Sequence, residues 1–196
     1  MAHKIPKLQY LNTSFTGDRT SGSAVITNIA DTTDLAADMV VVGTGVPSGA
    51  VILTVDSATQ ITLDMNATAT ATSASFDAYF EISFDYPPVE TKGEQYDAKE
   101  NISISLSGDR QVSINYIEAM RDLKFSFVSQ TIKDLLDTFF TTHGVYGRDF
   151  RYFEDNQSAS YITYEIDKLK YQPKKLSAVS TSAYLWEIPI TFRRVL

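Results

Sequence analysis

The 196-residue chain has no cysteine, two histidines and one tryptophan. The first absence excludes disulfides, thiolate metal sites and a cysteine nucleophile, and it fits a protein made in a reducing compartment. The scarcity of histidine leaves His3 and His143 as the only imidazoles for proton transfer or metal binding. Hydrophobic runs are short. None approaches the ~20 apolar residues that cross a bilayer, and Met1 to Leu11 lacks the apolar stretch of a secretory signal, so neither a membrane span nor Sec export is expected. Positive charge is outnumbered: the net charge of -7 argues against sequence-independent binding to nucleic acid, which needs Lys and Arg to neutralise phosphates.

Helical periodicity is also rare. It occurs once, where Ile132, Leu135, Leu136, Phe139 and Phe140 fall at i, i+3, i+4, i+7 and i+8. Thr131 with Asp134 reads as a capping box, and Gly144, just after His143, reads as a left-handed stop, which predicts a helix over 131–143. A helix this short is marginal in water by itself, so its apolar stripe must lie on a sheet. Leu123, Phe125 and Phe127 alternate with polar residues before it, and Phe150 and Tyr152 resume that alternation after it.

What the chain does have is apolar side chains, 43% of the total, and aromatics, 12%, enough for a packed core. Their distribution divides it. Between Arg19 and Lys92 there is no Lys or Arg, and between Phe15 and Phe76 no aromatic residue. Ser, Thr and Ala dominate there around β-branched runs at 24–26, 39–42, 51–55 and 61–63, which predicts a separate small β module over 13–76. AVILTVDSATQITLDM reads as a hairpin, with Val51, Leu53 and Val55 sharing a face with Ile61, Leu63 and Met65 across a turn at 56–60. NATATATSAS is low in complexity, a thin extended strand or linker. Before the module, Leu8, Tyr10 and Leu11 mark a short strand.

After the module, Phe76, Ala78, Phe80, Ile82 and Phe84 alternate without a break and predict a strand that Pro87 and Pro88 end. VETKGEQYDAKE, 89–100, is polar and reads as an exposed loop. Ile102 to Leu106 and Val112 to Tyr116 read as a hairpin whose apolar sets align only across a loop of odd length, Gly108 to Arg110 or longer. Residues 161–166 and 169–171 read as weaker strands. Tyr184, Trp186, Ile188, Ile190 and Phe192 alternate again, and Pro189 among them, with no N–H to donate, predicts an edge strand that is open to another subunit.

Motifs that carry chemistry are weak. MVVVGTGVPSG places Gly43, Gly45 and Gly49 after an apolar run, but Pro47 and a β-branched segment follow where a dinucleotide loop needs a helix N-terminus, so a turn is expected. Asp31, Asp34 and Asp38 lack the spacing and central glycine of a calcium loop and read as a solvated turn. His143 beside a helix C-terminus reads as a favourably placed cation, and His3 as part of a tail. Glu81, Asp85, Glu154 and Glu187 do not assemble a nucleophile, base and orienting group. Lys168, Lys170, Lys174, Lys175, Arg193 and Arg194 cluster near Tyr171 and Trp186, but the interleaved acids favour a solvated face or subunit contact over a nucleic-acid patch. The sequons at Asn66 and Asn101 mean little without a secretory signal. No catalytic, cofactor-binding or metal-ligating residue is assigned.

Two stretches resemble structural proteins of tailed bacteriophages. Residues 15–75, above all GTGVPSGAVI and VDSATQITL, resemble a small β module that recurs in phage tail and fibre proteins. From Ser107 onward, SGDRQ, DLKFSF, DTFFTTHG, DFRYFED and WEIPITFRRV follow the order seen in distal tail and minor tail proteins of long-tailed phages. Arg110 stands where that family often has Gly. The resemblance implies a mainly β, tail-tube-like β-sandwich, residues 1–12 and 77–196, with one flanking helix and residues 13–76 inserted. It also implies a virion protein, assembled in the bacterial host cytoplasm, that forms a ring at the tail tip with copies of itself and with tail-tube and hub or fibre proteins. DNA would pass through that ring without sequence-specific contact. Tyr184, Trp186, Pro189, Arg193 and Arg194 are the expected interface. A glycan-binding or decorating module of the virion and a wall-degrading enzyme stand as alternatives.

Overall fold

A computed structural model describes residues 4–104, 110–166, 171–178 and 184–194, and side chains of 90–94, 97–118 and 177–178 are not described. The protein is mainly β with one α-helix. The chain divides into two compact units, Lys7–Ile82 and Met1–Pro6 with Ser83–Leu196. Composition changes at 13 and 76, inside the strands β1 (Lys7–Arg19) and β6 (Ala71–Ser83), so these boundaries do not coincide with it. No helix among the described residues is long and apolar enough to cross a membrane.

In the unit of residues 7–82, β1 pairs with β2 (Val25–Thr27), which pairs with β5 (Gln60–Leu63), which pairs with β4 (Ile52–Ser57). β6 pairs with both β1 and β3 (Val40–Val42). Ile26, Ile29, Met39, Val41, Ile52 and Phe76 are among the residues of its core. The β4–β5 hairpin forms, but its inward face is Ile52 with Ile61 and Leu63, while Leu53 and Val55 are exposed. Val55 stands opposite Ile61 as expected, though 38% exposed, while an extra residue between Ile52 and Thr54 shifts the register so that Ile52, and not Leu53, faces inward opposite Leu63. Asp56 closes the turn by accepting from the hydroxyls of Thr54 at 2.7 Å and Thr62 at 2.6 Å, and these bonds hold its carboxyl below the usual range.

The glycine loop 43–49 serves packing. A Cβ on Gly43 would stand 2.5 Å from the Phe76 ring, and Gly45 has φ +74 with the Arg19 guanidinium against it. No helix follows, as the turn reading requires.

In the unit containing residues 83–196, β7 (Val89–Ile104) and β8 (Arg110–Ser129) form a long antiparallel ribbon. Residues 89–100, expected as a loop, are thus most of a strand. A two-stranded ribbon needs no buried face to close its backbone hydrogen bonds, so it leaves no alternation in the sequence. Ile102 pairs with Val112, the register of an odd-length turn, and the turn residues 105–109 lie outside the described residues. Beyond it, α1 (Gln130–Thr142), β9 (Phe150–Phe153), β10 (Ile162–Ile166), β11 (Lys174–Ala178) and β12 (Tyr184–Arg194) complete the unit. The strand order is β9-β10-β12-β8-β7, with β11 also on β12. β11 carries no alternation that foretold it, while the strand expected at 169–171 lies mostly outside the described residues.

β12 is not an edge. It pairs with β8 from Leu185 to Arg193, and its other side takes β11 at Tyr184–Glu187 and β10 at Phe192–Arg194. Pro189 is tolerated because the stretch between those two short strands, 188–191, has no β partner on that side among the described residues.

The N-cap of α1 lies two residues before the expected one. Ser129, in extended conformation, is the N-cap and its hydroxyl accepts from the Ile132 N–H at 3.4 Å, while Asp134 accepts from Gln130 Nε2 at 2.7 Å. Ile132, Leu136, Phe139 and Phe140 are buried, but Leu135 is 45% exposed. The helix ends at His143, and Gly144 opens a short 3-10 turn, 144–146, so the left-handed stop falls on Gly147 at φ 62. Asp137 accepts from both Lys133 and the Tyr171 hydroxyl, and Tyr171 stacks on Phe140 at 3.6 Å, so Tyr171 is held against the helix. Burial first, and then the Asp137 carboxylate, push the Tyr171 hydroxyl far above its ordinary range.

Candidate functional site

The residues expected at the interface have partners inside their own unit. Trp186 donates Nε1–H to Gln130 at 2.8 Å and lies 5.0 Å under Lys133, so its polar end is already engaged by α1. Tyr184 lies beneath Lys175, at 3.2 Å from the ring centre, and Arg193 pairs with Glu165. Arg194 is half-buried, and Pro189 is exposed between buried Ile188 and Ile190.

The titratable groups tell a similar story. His143 is buried, stacks on Phe139 and has Nε2 2.8 Å from the Asp149 carbonyl, which requires that nitrogen to donate. Burial pushes its pKa down, with Arg148 adding to the effect, so it is a neutral packing residue at neutral pH and not the cation expected beside the helix end. His3 lies outside the described residues. Glu81 accepts from Lys7 at 3.0 Å and Gln9 at 2.7 Å, Glu154 pairs with Arg121 at 2.6 Å and Glu187 with Lys124 at 3.3 Å. Asp85 is exposed. Each of these three glutamates is thus engaged by a cationic side chain of its own unit.

In the unit of residues 7–82, a groove of about 420 Å³ is lined by Phe15, Ile29, Asp31, Asp34, Phe76 and Asp77, with neighbouring hydroxyls. Asp31 accepts from the Thr33 N–H and hydroxyl, and Asp77 accepts from Ser14. Asp31 therefore forms the solvated turn, and Phe76, 1% exposed, offers no open ring face for a sugar. Among the described residues no group of three His, Asp or Glu side chains could hold a metal ion.

Among the described residues, a long strand edge is left without a β partner. β7 runs for 16 residues and pairs with β8 alone among the described residues, leaving a row of backbone donors and acceptors along its outer side. Where β7 begins, Phe127 has φ 60 and is 56% exposed. Two residues of β8, Ser126 and Phe127, stand where β12 offers only Glu187, so the strand bulges there. The alternation that buries Leu123 and Phe125 then resumes with Val128 inward. Left-handed backbone in a bulky residue costs ~1–2 kcal/mol. Its ring makes an edge contact with exposed Tyr86 at 6.4 Å, and exposed Val89 stands at the first position of β7. Alternation places Phe127 inward; only the bulge turns it out, so period alone could not find this surface. No protein-family model matches the chain, and no curated protein or solved structure matches it.

Proposed function

We propose that this chain is a structural virion protein, one subunit of an oligomeric ring at the distal end of a long-tailed phage tail, joining the tube to the host-recognition apparatus. The observation that carries assembly is the long β7 edge. A 16-residue strand with one side open among the described residues is a template for another strand, and natural monomers shorten, bend or cover such edges. The choice of a phage tail follows the resemblance of SGDRQ, DLKFSF, DTFFTTHG, DFRYFED and WEIPITFRRV to distal tail proteins. The ion-paired glutamates and the buried neutral His143 fit a protein whose product is an interface. Mass measurement of the purified chain across concentration, together with copy counting in purified particles, tests the reading. A closed oligomer present in particles is expected. A chain that stays monomeric and is absent from particles refutes it.

A further inference from the structure

One buried cation in the unit of residues 7–82 has no counter-charge. Arg19, the last residue of β1, is 6% exposed, and among the described residues its guanidinium donates one hydrogen bond, from Nε to the Ala69 carbonyl at 3.1 Å. Nη1 is buried and has no acceptor there. The Phe76 ring, 5.8 Å from Cζ, replaces part of the attraction lost with water. The carboxylates of the unit are engaged elsewhere. Asp18, next to Arg19 in the chain, accepts from Asn28 at 2.6 Å and from the Ser73 N–H at 2.7 Å, while Asp31, Asp56, Asp64 and Asp77 accept from other groups.

A guanidinium keeps its charge wherever it is placed, and burying it is costly unless its five donors are met. An apolar side chain of similar length would fill the same space without that cost, so packing alone does not call for arginine here. The cover over the group is thin. Gly45 lies against it, where a Cβ would stand 2.6 Å from Nε, and the Thr68 N–H donates to the Gly45 carbonyl at 2.8 Å, which joins residues 67–70 to the glycine loop. Thr44, Thr68 and Thr70 flank that cover and are exposed, as are Thr20 and Ser21 beside Arg19 in the chain. Thr70 Oγ1 accepts from the Ser21 N–H at 2.9 Å, so its own O–H is left to donate.

We propose that Arg19 and this rim of hydroxyls bind a single carboxylate carried on a small polyhydroxylated molecule, a sugar acid. The planar fork of the guanidinium matches a planar carboxylate, and the glycine loop shifts off it as the ligand enters. One cation suits one negative charge. Lys7 is the other Lys or Arg of residues 7–82 and pairs with Glu81 at 3.0 Å, so the unit does not neutralise a polyanion. The Thr and Ser hydroxyls of the rim suit a ligand with hydroxyls of its own, whereas a protein partner calls for an apolar anchor among them. Phe76 is covered, so hydrogen bonds and not ring stacking hold the sugar. The site is independent of assembly and stands or falls apart from the ring reading.

Calorimetric titration of the full chain with sodium glucuronate tests this, with glucose, acetate, inorganic phosphate and a glycine-glutamate-glycine tripeptide as comparisons. Glucuronate binds, acetate binds more weakly, and glucose gives no signal. Arg19→Lys keeps the charge but loses the fork, and weakens glucuronate at least tenfold. Arg19→Met abolishes binding, yet without ligand it melts no lower than the wild type, because an apolar chain has replaced an unpaired buried charge. If Arg19→Met does not fold, Arg19→Lys carries the comparison. A wild type that does not bind glucuronate overturns the site, and glucuronate binding that Arg19→Lys leaves unchanged overturns its placement at Arg19. Phosphate that binds as tightly as glucuronate overturns the carboxylate. A tripeptide that binds more tightly than glucuronate overturns the sugar in favour of a protein carboxylate.

Discussion

Replacing Leu135 and Leu136 separately by Ala tests the orientation of α1, because these neighbours belong to the same apolar stripe in sequence yet differ in the fold. Leu136 is fully buried; Leu135 is 45% exposed. Truncating Leu136 removes buried carbon worth ~0.8 kcal/mol per methylene and leaves a cavity, for a loss of about 3 kcal/mol. At Leu135 about half of that transfer term is at stake and no enclosed cavity forms, so the cost is roughly 1 kcal/mol, slightly offset by alanine's better helix propensity. Urea unfolding followed by Trp186, the chain's one tryptophan and a hydrogen-bond partner of Gln130 in the first turn of α1, reads the helix-bearing unit directly. A Leu135→Ala loss equal to or larger than that of Leu136→Ala would refute the orientation and the packing derived from it.

Three further outcomes follow from particular contacts. Ser129→Ala costs about 1 kcal/mol by removing the N-cap, whereas Thr131→Ala costs less than about half of that; the reverse order in thermal melts would restore the capping box at Thr131. Gly45→Ala destabilises by about 2 kcal/mol, since alanine resists φ +74 and its methyl group would displace the Arg19 guanidinium; a neutral substitution in denaturant melts contradicts the loop geometry. Burial holds the pKa of His143 in the folded protein below its ordinary 6.5, so the stability it contributes is whole above that pH and is lost as pH falls from there toward the depressed value. Chemical melts between pH 7 and 5 show this slope in the wild type and not in His143→Gln, and a wild type that grows more stable on acidification would reverse the sign.

Much of the fold was legible where burial imposes a period. Phe76 to Ile82, Leu123 with Phe125, and Ile188 to Phe192 alternate because one face of each strand meets a core, and α1 shows helical spacing for the same reason. Within the β7–β8 ribbon the pairing of Ile102 with Val112 was legible, but residues 89–100 of β7 were not, since backbone pairing alone imposes no side-chain pattern. Nor was the exposed ring of Phe127, because exposure at a bulge breaks the rule that made the rest readable.

The amino-acid sequence by itself determined the mainly β character, the single helix, the absence of cysteine chemistry and the contrast between a Ser/Thr/Ala-rich stretch and an aromatic-rich one. These are properties of composition and local periodicity, which each segment carries alone. Tertiary structure decided that β12 lies between strands and β7 at the rim, that Ser129 caps α1 ahead of Thr131, that His143 is neutral, and that Phe127 faces outward. Each of these depends on which distant strand or side chain supplies a partner. A one-residue bulge is enough to exchange the two faces of a strand without altering the order of its residues.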